Sequence, residues 1–206
     1  MPTKKIENSQ RIYQIKVTLL GTRPPIWRRL LVPADLTLEQ LHDVLQVAMG
    51  WTNSHLHEFR IGRQRFGAPD PSESFRGGPV SIDESKVRLS AVLKRLGAKM
   101  EYTYDFGDGW EHGINVEKVL PPEPGLAYPV CTGGKLSAPP EDCGGIPGFY
   151  GLLEAIADPT DERNQESLEW LGDGFDPESF SAAAVNRQLK RMFRPAGNAK
   201  PATSGT

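Results

Sequence analysis

Two cysteines, Cys131 and Cys143, are too few to staple a small secreted fold. No apolar run approaches the roughly 20 residues that a membrane-spanning helix needs. The opening MPTKKIENSQ lacks the apolar core of a secretory leader. The expectation is a cytoplasmic protein with no membrane partner. Neither sign of charge prevails: 24 basic residues meet 26 acidic ones, so nothing global draws the chain to nucleic acid or anionic lipid. Gly-x-Ser-x-Gly, a P-loop and the dinucleotide fingerprint are missing too, which removes the nucleophile-elbow and nucleotide-binding readings.

Glycine and proline, by contrast, are plentiful at 21 and 18 residues, which predicts many turns and several long connections. Between them the periodicities are clear. Residues 11–20 and 26–32 alternate as two strands of a hairpin. Thr37 and Gln40 form a capping box for a helix whose apolar stripe is Leu38, Leu41, Val44, Leu45, Ala48 and Met49, closed by Gly50. Residues 55–61 read as a third strand, 67–81 as an exposed loop, and Leu89, Val92, Leu93 and Leu96 as the inward face of a short helix. A long hairpin follows at 100–119. Residues 121–147 hold seven prolines and read as an irregular loop packed on the body.

Three helical segments close the chain, the last expected to start with Asp176 as N-cap and Pro177 at its first position. Residues 1–10 and 195–206 are expected to be disordered. One α+β domain over 11–194 results, with a sheet-and-helix core at 11–120, the packed loop at 121–147 and a helical extension at 148–194. Its expected centre is a β-grasp-like mixed or antiparallel sheet of about four or five strands packed by helices.

The hairpin carries most of the chemistry. Met100, Tyr102, Tyr104 and Phe106 share one face, and Trp110, His112, Ile114 and Val116 share the facing one, so these predict the core side. Glu101, Asp105, Glu111 and Glu117 then point outward, and Asp108 sits at the turn. Asp105-Phe-Gly-Asp108-Gly reads first as a turn whose carboxylates bond local amides. Its second reading is a pair of hard oxygen ligands for a divalent cation. If a metal binds, His55, His57, Asp105, Asp108 and His112 are the candidates. No cofactor is expected. Catalytic candidates are Asp105, Asp108, Glu111 and His112, with Glu111 or Glu141 available as general base. A Cys143 nucleophile would need a histidine beside it and ranks below metal chemistry.

Charge is uneven along the chain. Nine acidic residues between 154 and 178 face one basic residue, Arg163, whereas Arg28-Arg29, Arg60, Arg63, Arg65 and the run Arg187, Lys190, Arg191, Arg194 are basic. Solvated helix faces are the plain reading, and two poles for a protein or nucleic-acid partner the functional one.

Ile26-Trp27-Arg28-Arg29, Met49-Gly-Trp51, His55-Leu-His57-x-Phe59, Tyr104-Asp-Phe-Gly-Asp-x-Trp-x-His112 and Pro140-Glu-Asp-Cys-Gly-Gly together resemble the Ri-plasmid ORF-three-like family of plasmid pRiA4b type, also labelled insertion-element passenger proteins. The resemblance spans roughly residues 10–193. It implies an α+β domain often encoded on plasmids and mobile elements, and carries over no catalytic residue or cofactor. Two functions are therefore expected in order. The first is an accessory module binding a protein or nucleic-acid partner in a groove of Trp51, His57, Trp110, Glu141 and Asp142. The second is a metal-dependent hydrolase of the phosphoester class.

Overall fold

The computed structural model describes residues 11–69, 81–172 and 175–193. The two expected disordered ends and most of the expected 67–81 loop lie outside those residues. In chain order the strands are β1 (Ile12–Leu19), β2 (Trp27–Pro33), β3 (His57–Ile61), β4 (Gln64–Gly67), β5 (Ile82–Asp83), β6 (Lys99–Tyr104), β7 (Trp110–Leu120) and β8 (Val130–Lys135). The helices are α1 (Leu38–Met49), α2 (Leu89–Val92), α3 (Gly145–Ala157), α4 (Asn164–Leu171) and α5 (Ala182–Met192).

The α+β class holds, but the expected four or five strands of a β-grasp-like sheet are corrected to eight, in the order β5-β4-β3-β6-β7-β1-β2-β8. Neighbours are antiparallel except for the parallel pair β4–β5. The three extra strands have weak local patterns. β4 is four residues long and follows β3 after a two-residue turn at Gly62-Arg63. β5 has only two residues. β8 reads Val-Cys-Thr-Gly-Gly-Lys inside the proline-rich stretch, and its second glycine is there for space. A Cβ at Gly134 would stand 2.6 Å from the Phe180 ring, so this edge strand tolerates no side chain where Phe180 lies over it.

One sheet face is the core. Ile15, Val17, Leu30 and Val32 are fully buried there beneath the apolar stripe of α1. That helix starts and stops as its sequence dictates: Thr37 Oγ1 accepts from Gln40 N–H, Gln40 Oε1 accepts from Thr37 N–H, and Gly50 takes the left-handed conformation. The hairpin arms obey parity, with Met100, Tyr102, Tyr104, Trp110, His112, Ile114 and Val116 all buried. Phe106 departs from it. It lies beyond β6 in the turn and is 56% exposed. Leu96 is exposed as well, because α2 ends at Val92.

The opposite face carries ion pairs, Arg29–Glu117 at 2.7 Å and Arg60–Glu101 at 3.0 Å. Arg29 and Arg60 of the expected basic pole are thus paired on their own sheet. Arg28 is buried: its guanidinium donates to the carbonyls of Ala48, Trp27 and Lys135 and stacks over Phe180 at 4.3 Å. The final helix starts later than its cap signal promised. Asp176 Oδ1 accepts from Glu178 N–H in a local turn, and Ser181 caps α5 instead.

Candidate functional site

Two remote segments meet at the tip of the long hairpin. β6 and β7 pair in register up to Tyr104 opposite Trp110, leaving 105–109 as a five-residue turn. Asp105 leaves β6 with a positive φ of 56°, a conformation that Asp and Asn tolerate better than other side chains. The reversal of direction corrects the outward placement read from parity, and Asp105 is only 6% exposed. Its N–H donates to Leu56 O, its carbonyl accepts from Gly109 N–H, and its Oδ1 accepts from Gly107 N–H at 2.9 Å. Oδ2 is left facing His55, 3.7 Å from Nε2.

The second segment is the Glu141–Gly145 stretch. Glu141 anchors it, Oε1 accepting from Tyr104 O–H and Oε2 from both the N–H and the hydroxyl of Thr52. Burial opposes ionisation of Glu141, but these donors outweigh it and hold the carboxyl below its usual range. Burial and Glu141 raise the Tyr104 hydroxyl to about 12, so it remains a donor. Gly144 N–H donates to Asp108 Oδ2 at 3.3 Å. Gly145 comes so close that a Cβ would stand 2.4 Å from Asp108 O, at a φ of 67°. Only glycine fits both demands.

These anchors deliver Asp142, itself at φ 60°, to the same place. His55 Nε2, one Asp105 carboxylate oxygen and one Asp142 carboxylate oxygen all lie within 4.8 Å of one another. His55 Nε2 is 3.1 Å from Asp142 Oδ1, yet outside hydrogen-bond geometry, so among the described residues this buried nitrogen has no hydrogen-bond partner. Two donors held about 2.1 Å from one ion and roughly 90–110° apart lie about 3.0–3.4 Å from each other. The observed 3.1 Å to Asp142 falls within that spacing, and the 3.7 Å to Asp105 lies just beyond it. One imidazole and two carboxylates form a donor set for a divalent ion of the manganese or zinc type.

Behind His55 a cavity of 520 Å³ opens between α1, the start of β3 and the turn at Glu84–Lys86. His42 and His57 lie in its wall as stacked imidazoles, 3.5 Å apart and nearly parallel. His57 Nε2 meets both oxygens of buried Glu84, at 3.0 and 2.9 Å. His42 belongs to a closed ring of hydrogen bonds. Gln46 Nε2 donates to Tyr102 Oη, Tyr102 O–H donates to His42 Nδ1, His42 Nε2–H donates to Asn53 Oδ1, and Asn53 N–H donates to Gln46 Oε1. The donors run one way round only when His42 is neutral. Burial first, and then His57, bring its pKa down to about 4.

The structure gathers His55, Asp105 and Asp142, and separates the remaining candidates. His57 serves Glu84 rather than the His55–Asp105–Asp142 group. His55 precedes β3, so the two histidines do not act as a strand pair. Asp108 is a docking point for Gly144. Glu111 is exposed on the other sheet face, at the start of β7. His112 is fully buried between Trp51 and Tyr102, at 5.4 Å from each ring, and burial brings its pKa down to about 4. Trp51 and Trp110 are core residues that stack with each other at 6.2 Å. The Cys143 thiol is raised to about 12 by burial and by Asp108 and Asp142, far from a nucleophile at neutral pH.

His42, Gln46, Asn53, Glu84 and Tyr102 were not singled out by the sequence patterns as site residues. A signal existed for two of them: His42 and Gln46 stand on the buried stripe of α1 beside Leu38, Leu41, Leu45 and Met49. Polar side chains there demand buried partners. Nothing local marks Glu84.

Fold and site define an α+β protein with one mixed sheet and a cavity of histidines and carboxylates beside the central hairpin. Residues 11–184 match the family described as plasmid pRiA4b ORF-3-like protein, and the chain belongs to that family. It is 44% identical over 176 residues to the uncharacterized protein y4hQ of Sinorhizobium fredii (strain NBRC 101917 / NGR234), covering 85% of this chain and 86% of that one. It is also similar to the crystal structure of MM3350, a protein of unknown function from Methanosarcina mazei Go1, with a TM-score of 0.76 and 38% identity. That match covers 85% of this chain and 96% of the other. Among the described residues no helix is long and apolar enough to cross a membrane.

Proposed function

We propose that the chain is a divalent-metal-dependent hydrolase centred on His55, Asp105 and Asp142. The observation that carries this reading is the convergence of three ligand atoms around a buried, unpartnered His55 Nε2. Three protein donors leave coordination positions for water and substrate, and a divalent ion lowers the pKa of bound water toward neutrality. Asp105 suits a ligand role because Gly107 occupies one oxygen and leaves the other to the ion. The cavity beside His55 supplies room for a substrate. The alternative, a partner-binding groove of Trp51, His57, Trp110, Glu141 and Asp142, is less well supported. Its two tryptophans are in the core and Glu141 is occupied by Tyr104 and Thr52.

Calorimetric titration of the EDTA-stripped protein with Mn²⁺ and with Zn²⁺ tests the centre. One equivalent should bind at micromolar concentration. His55→Ala and Asp105→Asn should each weaken binding at least tenfold while circular dichroism stays unchanged. Failure of both metals to bind, or equal binding by the variants, refutes the reading.

A further inference from the structure

We infer that the 520 Å³ cavity behind His55 recognises a small organic cation, an alkyl amine or guanidine, so that the substrate carries one. For the reaction this rests on the hydrolase reading; for binding it stands alone. Four carboxylates line the cavity, Glu39, Asp43, Glu58 and Glu84, against one guanidinium, Arg65. Arg65 is already held by Glu58, and His42 is neutral. With Glu58 held by Arg65 and Glu84 facing His57, carboxylates still outnumber basic side chains in a partly desolvated space, where electrostatic attraction exceeds its value in water.

Two residues concentrate that charge. Glu84 is 4% exposed, with His57 as its hydrogen-bond partner. Asp43 is half-buried and, among the described residues, makes no hydrogen bond or ion pair. Burial, Glu39 and Glu84 all raise its carboxyl, with His57 opposing. A carboxylate crowded by like charge and in direct contact with no cation is relieved when one enters.

The shape argues for an organic cation over a second metal ion. Among the described residues, His55, Asp105 and Asp142 form the one group with converging metal-ligand atoms, so the inner carboxylates offer no coordination cage. The volume falls in the range of small-molecule pockets, about 300–1,000 Å³. The lining also includes Leu56, 70% exposed, and Phe106, 56% exposed, an apolar surface beside the charge that suits an alkyl chain. The same acidity disfavours a phosphoester anion and favours hydrolysis of an ester or amide that bears the cation.

The probes are n-butylguanidinium and its neutral isostere n-butylurea, titrated calorimetrically into the metal-stripped full chain. The cation should bind at least tenfold more tightly than the urea. Glu84→Gln and Asp43→Asn should each weaken it at least fivefold. Asp43 has no partner to lose, so its variant remains decisive if Glu84→Gln does not fold. Absence of binding, equal binding of the two probes, or an unchanged affinity in Asp43→Asn overturns the inference. Loss of cation binding with intact metal binding removes this inference alone. Cation binding without metal binding removes the hydrolase reading alone.

Discussion

Taking the protein from pH 7 to pH 4 is expected to remove about 6 kcal/mol of folding stability, from two buried imidazoles of about 3 kcal/mol each. His112 and His42 titrate near 4 in the folded chain against an ordinary 6.5. Burial is the main cause in both. Their folded pKa lies below the unfolded one, so the unfolded chain takes up protons first as pH falls. The stabilisation is complete above about 6.5, shrinks between 6.5 and 4, and is gone below 4. Six kcal/mol is comparable to the whole stability of an ordinary domain, about 5–15 kcal/mol.

Urea denaturation at pH 7, 5.5 and 4 checks this directly. The midpoint should fall steeply, and His112→Phe should flatten about half of the fall. That substitution keeps the aromatic packing and removes the unpartnered Nε2, losing only the long 3.3 Å contact of Nδ1 with Tyr102 O, so its cost at pH 7 should be about 1 kcal/mol. A midpoint that does not move between pH 7 and 4 excludes two neutral buried imidazoles.

Gly145→Ala should both destabilise the chain, by about 3 kcal/mol, and weaken metal binding at least tenfold. The new methyl would lie 2.4 Å from Asp108 O, a backbone atom of the turn that also presents Asp105. Something must move, and the 141–145 segment is tied at its other end by Glu141. Asp142 lies between the fixed end and the displaced one, so its distance to His55 changes. Gly125→Ala is the control. Its φ is similarly positive, at 82°, but nothing lies within 4 Å of the added Cβ. It should cost about 1 kcal/mol and leave metal affinity alone. Equal metal affinities in the two variants would mean that the docked segment does not position Asp142.

Much of the scaffold could be read from local pattern. The α1 capping box, its Gly50 stop and the parity of both hairpin arms follow from period and cap chemistry. The site was harder, because what builds it is not periodic. Alternation sends Asp105 outward, and its own left-handed backbone turns it in. Asp142 reaches His55 through Glu141, Thr52 and Tyr104, contacts separated by many residues in sequence. The Pro-Glu-Asp-Cys-Gly-Gly string stood out as unusual, and its parts have separate physical roles: Glu141 as anchor, Asp142 as the carboxylate set beside His55, Gly144 for its left-handed backbone and Gly145 for close approach to Asp108. β8 was hidden by the glycines that make it possible.

Diffraction from Zn²⁺-soaked crystals at the zinc absorption edge tests the centre most directly. An anomalous peak should appear about 2.0–2.2 Å from His55 Nε2 and from one oxygen each of Asp105 and Asp142. Zinc bound elsewhere with no peak among these three residues, or no bound zinc at all, would contradict the assignment.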